Sequence, residues 1–277
     1  MIGVVTDSSC DLPTVLVSSA RIVVVPLTVR FGSEEFVDGV DISPPQFWSL
    51  LRTATQLPET AAPSVGGFME AYANLRSGGA TGAIAICLSA ELSGTYQAAV
   101  LAAERVEGFP VKVVDSRAVS MALGLQVLDA ATRAAAGASL AEVAKAAQAN
   151  PNKANLLAAL DTVEYLRRGG RIGGAQAFIG SLLNVKPLIT FTDGVVVAAA
   201  GRVRTRSKAI EALLDRVRQL APRIRSVSVI HGGAGEVDSF VDSVSQAAGR
   251  PALAASLGPV VGTHSGPGVL GVAYLLD

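Results

Sequence analysis

The apolar residues of this chain come in short runs, and these runs alternate with segments of helical periodicity. The segments IVVVPLTV (22–29) and GAIAICLSA (82–90) are two such runs. Apolar runs of this length, without a polar residue at every second position, are typical of strands buried on both faces of a parallel sheet. Because helical patterns separate the runs along the chain, we predict an α/β fold.

The same patterns give the bounds of the individual elements. Strands are predicted at 2–6, 22–25, 28–31, 83–88, 111–114, 185–191, 195–200, 226–231, 252–257 and 269–274. Helices are predicted at 65–76, 94–105, 121–136 and 140–150, and another begins at Ser43-Pro44, which suits an N-cap and a first turn. Thr192-Asp193-Gly194 predicts a β-hairpin between two strands. Residues 58–63 and 262–268 are predicted as a loop and a tight turn.

The spacing of the predicted elements changes at Asn150-Pro151-Asn152. Before this point, strands and helices alternate as in an open parallel sheet with flanking helices. After it, the strands lie closer together along the sequence. We therefore predict two lobes, an N-terminal α/β lobe (1–152) and a C-terminal mixed α/β lobe (153–277).

Charge and cysteine content restrict the class of protein. The chain has 23 basic and 23 acidic side chains, a balance that argues against a general nucleic-acid or anionic-membrane binder. No apolar run reaches the roughly 18 residues of a membrane-spanning helix. The start MIGVVTDSS lacks the features of a secretion signal, and Cys10 and Cys87 form no CxxC motif. We expect a reduced, cytoplasmic protein without a metal or another cofactor.

Motifs of several enzyme classes are missing from the sequence. It has no Gly-Lys pair for a Walker A loop, no GxSxG and no HExxH, and its histidines are His231 and His264. A GxGxxG string occurs at 266–271, but only six residues follow it, too few for the helix and strand of a dinucleotide-binding unit. These absences argue against most nucleotide-dependent and hydrolytic enzymes.

Three turns rich in hydroxyl groups remain, at 60–64, 88–97 and 262–268. Ser93-Gly94 follows a predicted strand and opens a predicted helix, where free amides and the helix dipole favour an anion. Ser and Thr at such positions are also ordinary helix caps and turn residues. The residues alone therefore leave two interpretations open for Thr60 and Ser93, an anion site or local capping.

His264 and the arginines are equally ambiguous on the residues alone. His264 can donate to a ligand or orient Ser93, or it can bond to the backbone of its Gly-Pro turn. Arg202, Arg204 and Arg206 alternate along a segment predicted to be extended, so they share a face that is either solvated or a docking surface.

Several segments together resemble one known family. They are Thr6–Pro13, Asp38–Ile42, the Thr60 turn, Ser93-Gly94-Thr95-Tyr96-Gln97, Val114-Asp115-Ser116, the stretch from Leu160 to Lys208, and Thr263–Gly268. In order and in type they resemble the DegV family, bacterial proteins that hold a fatty acid and present it to a fatty acid kinase. The matching segments run through nearly the whole chain.

The resemblance implies roles for particular residues. Thr60 matches the threonine of the family's Thr-Ser-Gln-Pro-Ser loop, and Ser93 matches the serine of its Ser-Gly-Thr-Tyr-Gln motif. They are implied to bind the fatty-acid carboxylate, and we expect His264 to join them there. Ala61 and Ala62 depart from the family's Ser and Gln. Arg171 and Arg204 are implied to lie on the surface that meets the kinase, away from the buried tail.

The resemblance also implies a two-lobed DegV-like fold with the ligand between the lobes. The chain is then expected to be a carrier, without catalysis of its own, that presents a carboxylate to an ATP-dependent partner kinase. The resulting acyl phosphate would feed phospholipid synthesis. Small aliphatic side chains suit a tunnel, and Ala175, Phe178, Ile179 and Leu182 share a helical face that fits either a tunnel wall or ordinary core.

Two other functions stay open from the sequence. One is a lipid sensor or regulator without a kinase partner. The other is a small-molecule phosphotransferase or hydrolase that uses Asp7, Ser8 and His264.

Overall fold

A computed structural model describes residues 1–178, 186–199, 203–233 and 237–277. The strands of the N-terminal half are β1 (Ile2–Asp7), β2 (Ile22–Val25), β3 (Thr28–Phe31), β4 (Glu34–Val37), β5 (Glu59–Ala61), β6 (Gly82–Cys87) and β7 (Val111–Asp115). Its helices are α1 (Thr14–Ser19), α2 (Pro44–Thr53), α3 (Val65–Ser77), α4 (Thr95–Arg105), α5 (Met121–Ala135) and α6 (Leu140–Ala149).

A short 3₁₀ helix, Asn150–Asn152, leads into the C-terminal half. The strands described there are β8 (Ala154–Ala159), β9 (Leu188–Thr192), β10 (Val195–Ala198), β11 (Ile224–His231), β12 (Leu253–Ser256) and β13 (Leu270–Leu276). The helices are α7 (Glu164–Arg168), α8 (Arg206–Leu220), α9 (Val237–Ala248) and α10 (Pro259–Ser265).

The N-terminal half is built on a parallel sheet with the strand order β2-β1-β6-β7. All six residues of β6 are buried, because α3 and α4 cover one face of the sheet and α5 and α6 cover the other. Burial on both faces explains why the sequence of β6 is apolar throughout. The prediction of a parallel sheet with flanking helices is confirmed.

The C-terminal half is built on a mixed sheet with the strand order β10-β9-β8-β13-β11-β12. Only the β11–β12 pair is parallel among these neighbours. Helix α5 packs between this sheet and the parallel sheet, with ten of its fifteen residues buried. One hydrophobic core therefore runs from β1 across α5 to β8 and β13. The α/β class with two lobes is confirmed, whereas a domain boundary at residue 152 stays a prediction.

The β9–β10 hairpin has the turn that its sequence predicts. Thr192 pairs with Val195, so Asp193 and Gly194 form a two-residue loop. Both residues have positive φ values, 50° and 82°, as a type I′ turn requires.

Three segments differ from their predictions. The loop predicted at 58–63 contains β5, a three-residue strand that pairs with β3 and is too short to give a periodic signal. The tight turn predicted at 262–268 overlaps α10, which begins with Pro259 in its first turn. The segment whose helical face was predicted from Ala175 to Leu182 is a 3₁₀ helix, Gly173–Phe178, where it is described.

Candidate functional site

A largely apolar cavity lies between the two lobes. It contains about 810 Å³ of space free of protein atoms, including its opening to solvent. An apolar lining with a few polar groups is typical of small-molecule sites. Of the described lining residues, six are polar, namely Thr60, Ser93, Ser120, Arg171, His264 and Ser265. The apolar ones are Leu27, Ala62, Leu88, Leu92, Val119, Leu156, Ala158, Leu160, Leu166, Ile189, Phe191, Val196, Ile230, Leu257, Val260, Val261 and Val269.

The mixed sheet supplies one wall of this cavity. Leu156 and Ala158 are two residues apart on β8, and Ile189 and Phe191 are two apart on β9. Side chains two apart on a strand point to the same face, so the alternation of each strand aligns its apolar residues along the cavity. The wall is therefore a consequence of strand periodicity.

The predicted tunnel helix contributes little to the described wall. Ala175 is fully buried in the main hydrophobic core and does not line the cavity. Phe178 ends the 3₁₀ helix. Ile179 and Leu182 lie outside the described residues, so their part in a tunnel wall stays a prediction.

Thr60 and His264 meet at the polar end of the cavity although 204 residues separate them. Thr60 Oγ1 lies 2.9 Å from His264 Nε2. A Cβ atom on Gly169 would lie 2.3 Å from His264 Nδ1, so only glycine lets the end of α7 approach the ring this closely. The structure thus pairs His264 with Thr60, a contact that the sequence did not suggest, and not with Ser93.

His264 is neutral at pH 7 in this environment. Burial, and secondly the positive charge of Arg171, lower the pKa of the imidazole to about 4. A neutral ring has one donor nitrogen and one acceptor nitrogen. Nδ1 has no partner among the described residues, and a nearby cation favours a lone pair there. In that tautomer, Nε2 donates to Thr60 Oγ1 and leaves the threonine hydroxyl free to donate to a ligand.

Ser93 serves the start of α4 and faces the cavity at the same time. Its Oγ accepts a hydrogen bond from the backbone N–H of Thr95 at 3.3 Å and lies 2.9 Å from Thr95 Oγ1. Beside it, the position of a Cβ on Gly94 has no neighbour within 4 Å. A ligand can thus approach both the serine hydroxyl and the first turn of α4.

Arg171 lines the cavity together with His264, a position that the sequence did not predict, and its separation from the buried tail stays a prediction. Its Nε donates to the carbonyl oxygen of Leu92 at 3.1 Å, and its Nη1 donates to that of Gly169 at 2.6 Å. It therefore ties the turn before Ser93 to the end of α7. A role in docking stays a prediction for this residue.

Arg204 and Arg206 lie in different surroundings and do not form one exposed row. Arg204 is exposed and does not line the cavity. Arg206 is half-buried, and its Nη1 donates to the carbonyl oxygen of Gly268 at 2.7 Å. Arg202 lies outside the described residues. Docking through Arg204 stays a prediction.

Sequence reasoning missed a cluster of buried carboxylates beside the cavity. Burial raises the pKa of Asp7 to about 6, that of Asp11 to about 8 and that of Asp38 to about 7. Asp11 Oδ1 accepts from the backbone N–H of Gly258 at 2.8 Å, and Asp38 is bonded by the N–H of Val260. The cluster thus holds the start of α10, which carries His264.

Ser120, also missed, links this cluster to the cavity wall. It is fully buried with φ 56°, an unusual value for serine. Its hydroxyl lies near the Asp11 carboxylate but lacks hydrogen-bond geometry. The polar turn after β1 could have indicated this cluster, because the turns that follow parallel strands meet other loops at the carboxyl edge of the sheet.

The three residues of the phosphotransferase or hydrolase hypothesis do not line the cavity together. Asp7 bonds to the backbone N–H groups of Ser9 at 3.1 Å and Leu88 at 2.8 Å, which joins β1 to β6. Neither Asp7 nor Ser8 lines the cavity with His264. Over residues 1–178, 186–199, 203–233 and 237–277, no three His, Cys, Asp or Glu side chains are grouped to hold a metal ion. No helix in these ranges is long and apolar enough to cross a membrane.

Comparison with known proteins identifies the family. A family model described as "Uncharacterised protein, DegV family" matches residues 1–277. The chain belongs to the DegV family. A DegV domain-containing protein of Streptomyces coelicolor is 38% identical over 286 residues, which cover 98% of this chain and 97% of that protein.

Solved DegV family structures share the fold of this DegV chain over its full length. A Thermus thermophilus protein described as fatty acid binding has a TM-score of 0.90 and 35% identity, and the match covers 100% of this chain and 99% of that one. A Bacillus subtilis DegV described as a fatty acid binding protein has a TM-score of 0.91 and 30% identity, with the same coverage.

Proposed function

We propose that this DegV family protein binds one long-chain fatty acid, with its tail in the cavity and its carboxylate beside Thr60, Ser93 and His264. The observation that carries the proposal is an apolar cavity between the lobes that has the Thr60–His264 pair in its lining. The Thermus thermophilus and Bacillus subtilis relatives, both described as fatty acid binding, support it.

The apolar wall provides the affinity for the tail. Each buried methylene contributes about 0.8 kcal/mol, so ten methylenes contribute about 8 kcal/mol before the costs of binding are subtracted. Even before those costs, this gain equals the free energy of only a roughly micromolar complex, so contacts of the carboxylate must add to it for tighter binding. An unbranched acyl chain suits the wall because 17 of its 23 described lining residues are apolar.

The head group requires donors, because a carboxylate only accepts hydrogen bonds. Thr60 has a free proton when His264 Nε2 donates to its oxygen. The Ser93 hydroxyl accepts from the N–H of Thr95, and when Thr95 Oγ1 also donates to it, Ser93 keeps its own proton for the ligand. His264 in this arrangement acts through Thr60, and the carboxylate is held by neutral hydroxyl groups next to α4.

Presentation to a partner is the second part of the proposal. A groove of about 830 Å³ shares Thr60, Arg171 and His264 with the cavity and adds Tyr165 and Arg168. It gives the head group a route to solvent on a face that carries two arginines. We infer that an ATP-dependent kinase docks here and at Arg204, in the cytoplasm, and forms an acyl phosphate for phospholipid synthesis. The chain itself acts as a carrier and not as an enzyme.

A titration tests the two parts separately. Delipidated protein should bind a long-chain fatty acid with a stoichiometry of one, and the matching fatty alcohol more weakly because it has no carboxylate. Equal affinities for acid and alcohol would contradict the head-group site. Addition of ATP and a cognate kinase should convert the bound acid to acyl phosphate. Normal binding without conversion by any kinase would favour a lipid sensor.

A further inference from the structure

The turn that carries Ser93 is attached to the opposite lobe by a buried serine. Ser89 is fully buried, and its Oγ donates to the carbonyl oxygen of Gly194 at 2.8 Å. The same Oγ accepts from the backbone N–H of Glu91 at 3.3 Å. One hydroxyl thus stabilises the turn internally and joins it to the tip of the β9–β10 hairpin.

The contact between the turn and the hairpin is too close for most residues. A Cβ on Gly194 would lie 2.3 Å from Ser89 Oγ, and the φ of Gly194 is 82°. Glycine at the second position of the type I′ turn therefore serves both the hairpin and the interlobe bond.

Both ends of this bond support the cavity, although Ser89 does not line it. Leu88, Leu92 and Ser93 reach the cavity from the turn, and Ile189, Phe191 and Val196 reach it from the hairpin. Within the described residues, β10 pairs with no strand other than β9, and it also packs against the 3₁₀ helix Gly173–Phe178. The Ser89–Gly194 bond restrains the tip of the hairpin, and neither of its residues lines the cavity.

Two further contacts lie beside this bond. Arg117 Nη1 approaches Asp193 Oδ1 at 3.4 Å, and both side chains are largely exposed. Arg171 Nε holds the carbonyl oxygen of Leu92. Neither contact replaces the buried one, because exposed ion pairs contribute little and Arg171 binds the far end of the turn.

We propose that Ser89 is a positioning residue for the fatty-acid site, which fixes Ser93 against the C-terminal lobe before the ligand arrives. This inference rests on the proposed function. Without the bond, the free protein also populates arrangements in which Ser93 is displaced. The apparent affinity for the fatty acid then decreases in proportion to the fraction of molecules that keep Ser93 in place.

The first test compares two serine substitutions in the full chain. Ser89→Ala should weaken binding of a long-chain fatty acid by about fivefold, the range of one neutral hydrogen bond. Ser139→Ala is the matched control. It removes the exposed capping-box hydroxyl of α6 and should lower stability in urea without changing affinity. Unchanged affinity in Ser89→Ala, with only stability lost, would overturn the proposal.

A double-mutant cycle tests whether Ser89 acts through Ser93. In a Ser93→Ala background, Ser89→Ala should cost less than about twofold in affinity, because no hydroxyl is left to position. An equal loss of affinity in both backgrounds would mean that Ser89 acts on the apolar wall of the cavity and not through Ser93. That result would overturn the proposal. Failure of the unmodified protein to bind any fatty acid would instead refute the proposed function.

If Ser89→Ala does not fold, Ser89→Cys tests the same bond, because a thiol is a weak donor in place of the hydroxyl that binds the Gly194 carbonyl oxygen. It should weaken fatty-acid binding when Ser93 is present and have a smaller effect in Ser93→Ala. Unchanged affinity in the presence of Ser93 would contradict the positioning role.

Discussion

The buried carboxylates predict an unusual dependence of stability on pH. Asp7, Asp11 and Asp38 have folded pKa values of about 6, 8 and 7, against an ordinary value of 3.8. A carboxyl group with a raised folded pKa keeps a proton that the unfolded chain has lost. Stability therefore falls as pH rises from the unfolded to the folded pKa. We expect the free energy of unfolding to decrease between pH 6.5 and 8.

The window from pH 6.5 to 8 isolates the carboxylates. Burial lowers the pKa of His264 to about 4 and also lowers that of His231, so both imidazoles reduce stability as the unfolded histidines protonate near pH 6.5. This offsets a small part of the carboxylate effect at the lower edge of the window. Burial raises the pKa of the Cys10 and Cys87 thiols from 9.0, so they reduce stability only as the unfolded thiols ionise at higher pH. Neither effect is large inside the window.

The size of the decrease follows from proton binding. One pH unit corresponds to about 1.4 kcal/mol for each proton that only the folded state holds. With a folded pKa of about 8, Asp11 contributes about 1.5 kcal/mol across the window. Asp38, at about 7, contributes about 0.8 kcal/mol. The total is about 2 kcal/mol, which is well above the error of a denaturation series.

The assay is urea denaturation at constant ionic strength, with and without Asp11→Asn. Asparagine keeps an oxygen for the Gly258 amide and resembles the protonated carboxyl group. The variant should lose less than about 1 kcal/mol across the window. Asp242→Asn, at an exposed position of α9, is the control and should follow the unmodified protein. A flat curve for the unmodified protein, or the same slope in Asp11→Asn, would refute this reasoning.

Three further substitutions test the cavity and its mouth. Ser93→Ala should weaken fatty-acid binding about tenfold in a titration, since a hydrogen bond to a charged group contributes about 1.5–3 kcal/mol; normal binding with reduced stability would leave Ser93 as a helix cap only. Arg204→Ala should keep the fatty-acid affinity but slow phosphorylation by a cognate kinase, because charges at the rim of an interface govern the encounter of the two proteins. A loss of fatty-acid affinity would instead place Arg204 in the binding site. Ala158→Leu should shift the preference towards shorter acyl chains in competition binding, because it fills part of the cavity wall, and an unchanged chain-length profile would contradict that wall.

Local patterns in the sequence were sufficient for most of the framework. The apolar run of β6 predicted a strand covered on both faces, and Asp193-Gly194 predicted a two-residue hairpin. Both features depend on residues adjacent in the chain. β5 was missed because three residues give no period, although its Thr60 was singled out for another reason.

The geometry of the site depends on contacts that no local pattern encodes. The Thr60–His264 pair spans 204 residues and forms because β5 joins β3 while α10 packs against the same small sheet. The family resemblance placed Arg171 on a partner-facing surface, and no local pattern indicated that it also lines the cavity. The resemblance also gave roles to Thr60 and Ser93, but the hydrogen bond between Thr60 and His264 follows from the fold.

Native mass spectrometry of the purified chain tests the central claim most directly. The protein should carry one long-chain fatty acid, or take up one per chain when oleate is added after delipidation. Ser93→Ala should retain less of it under the same conditions. A folded protein that carries no lipid and acquires none from added fatty acid would contradict the account.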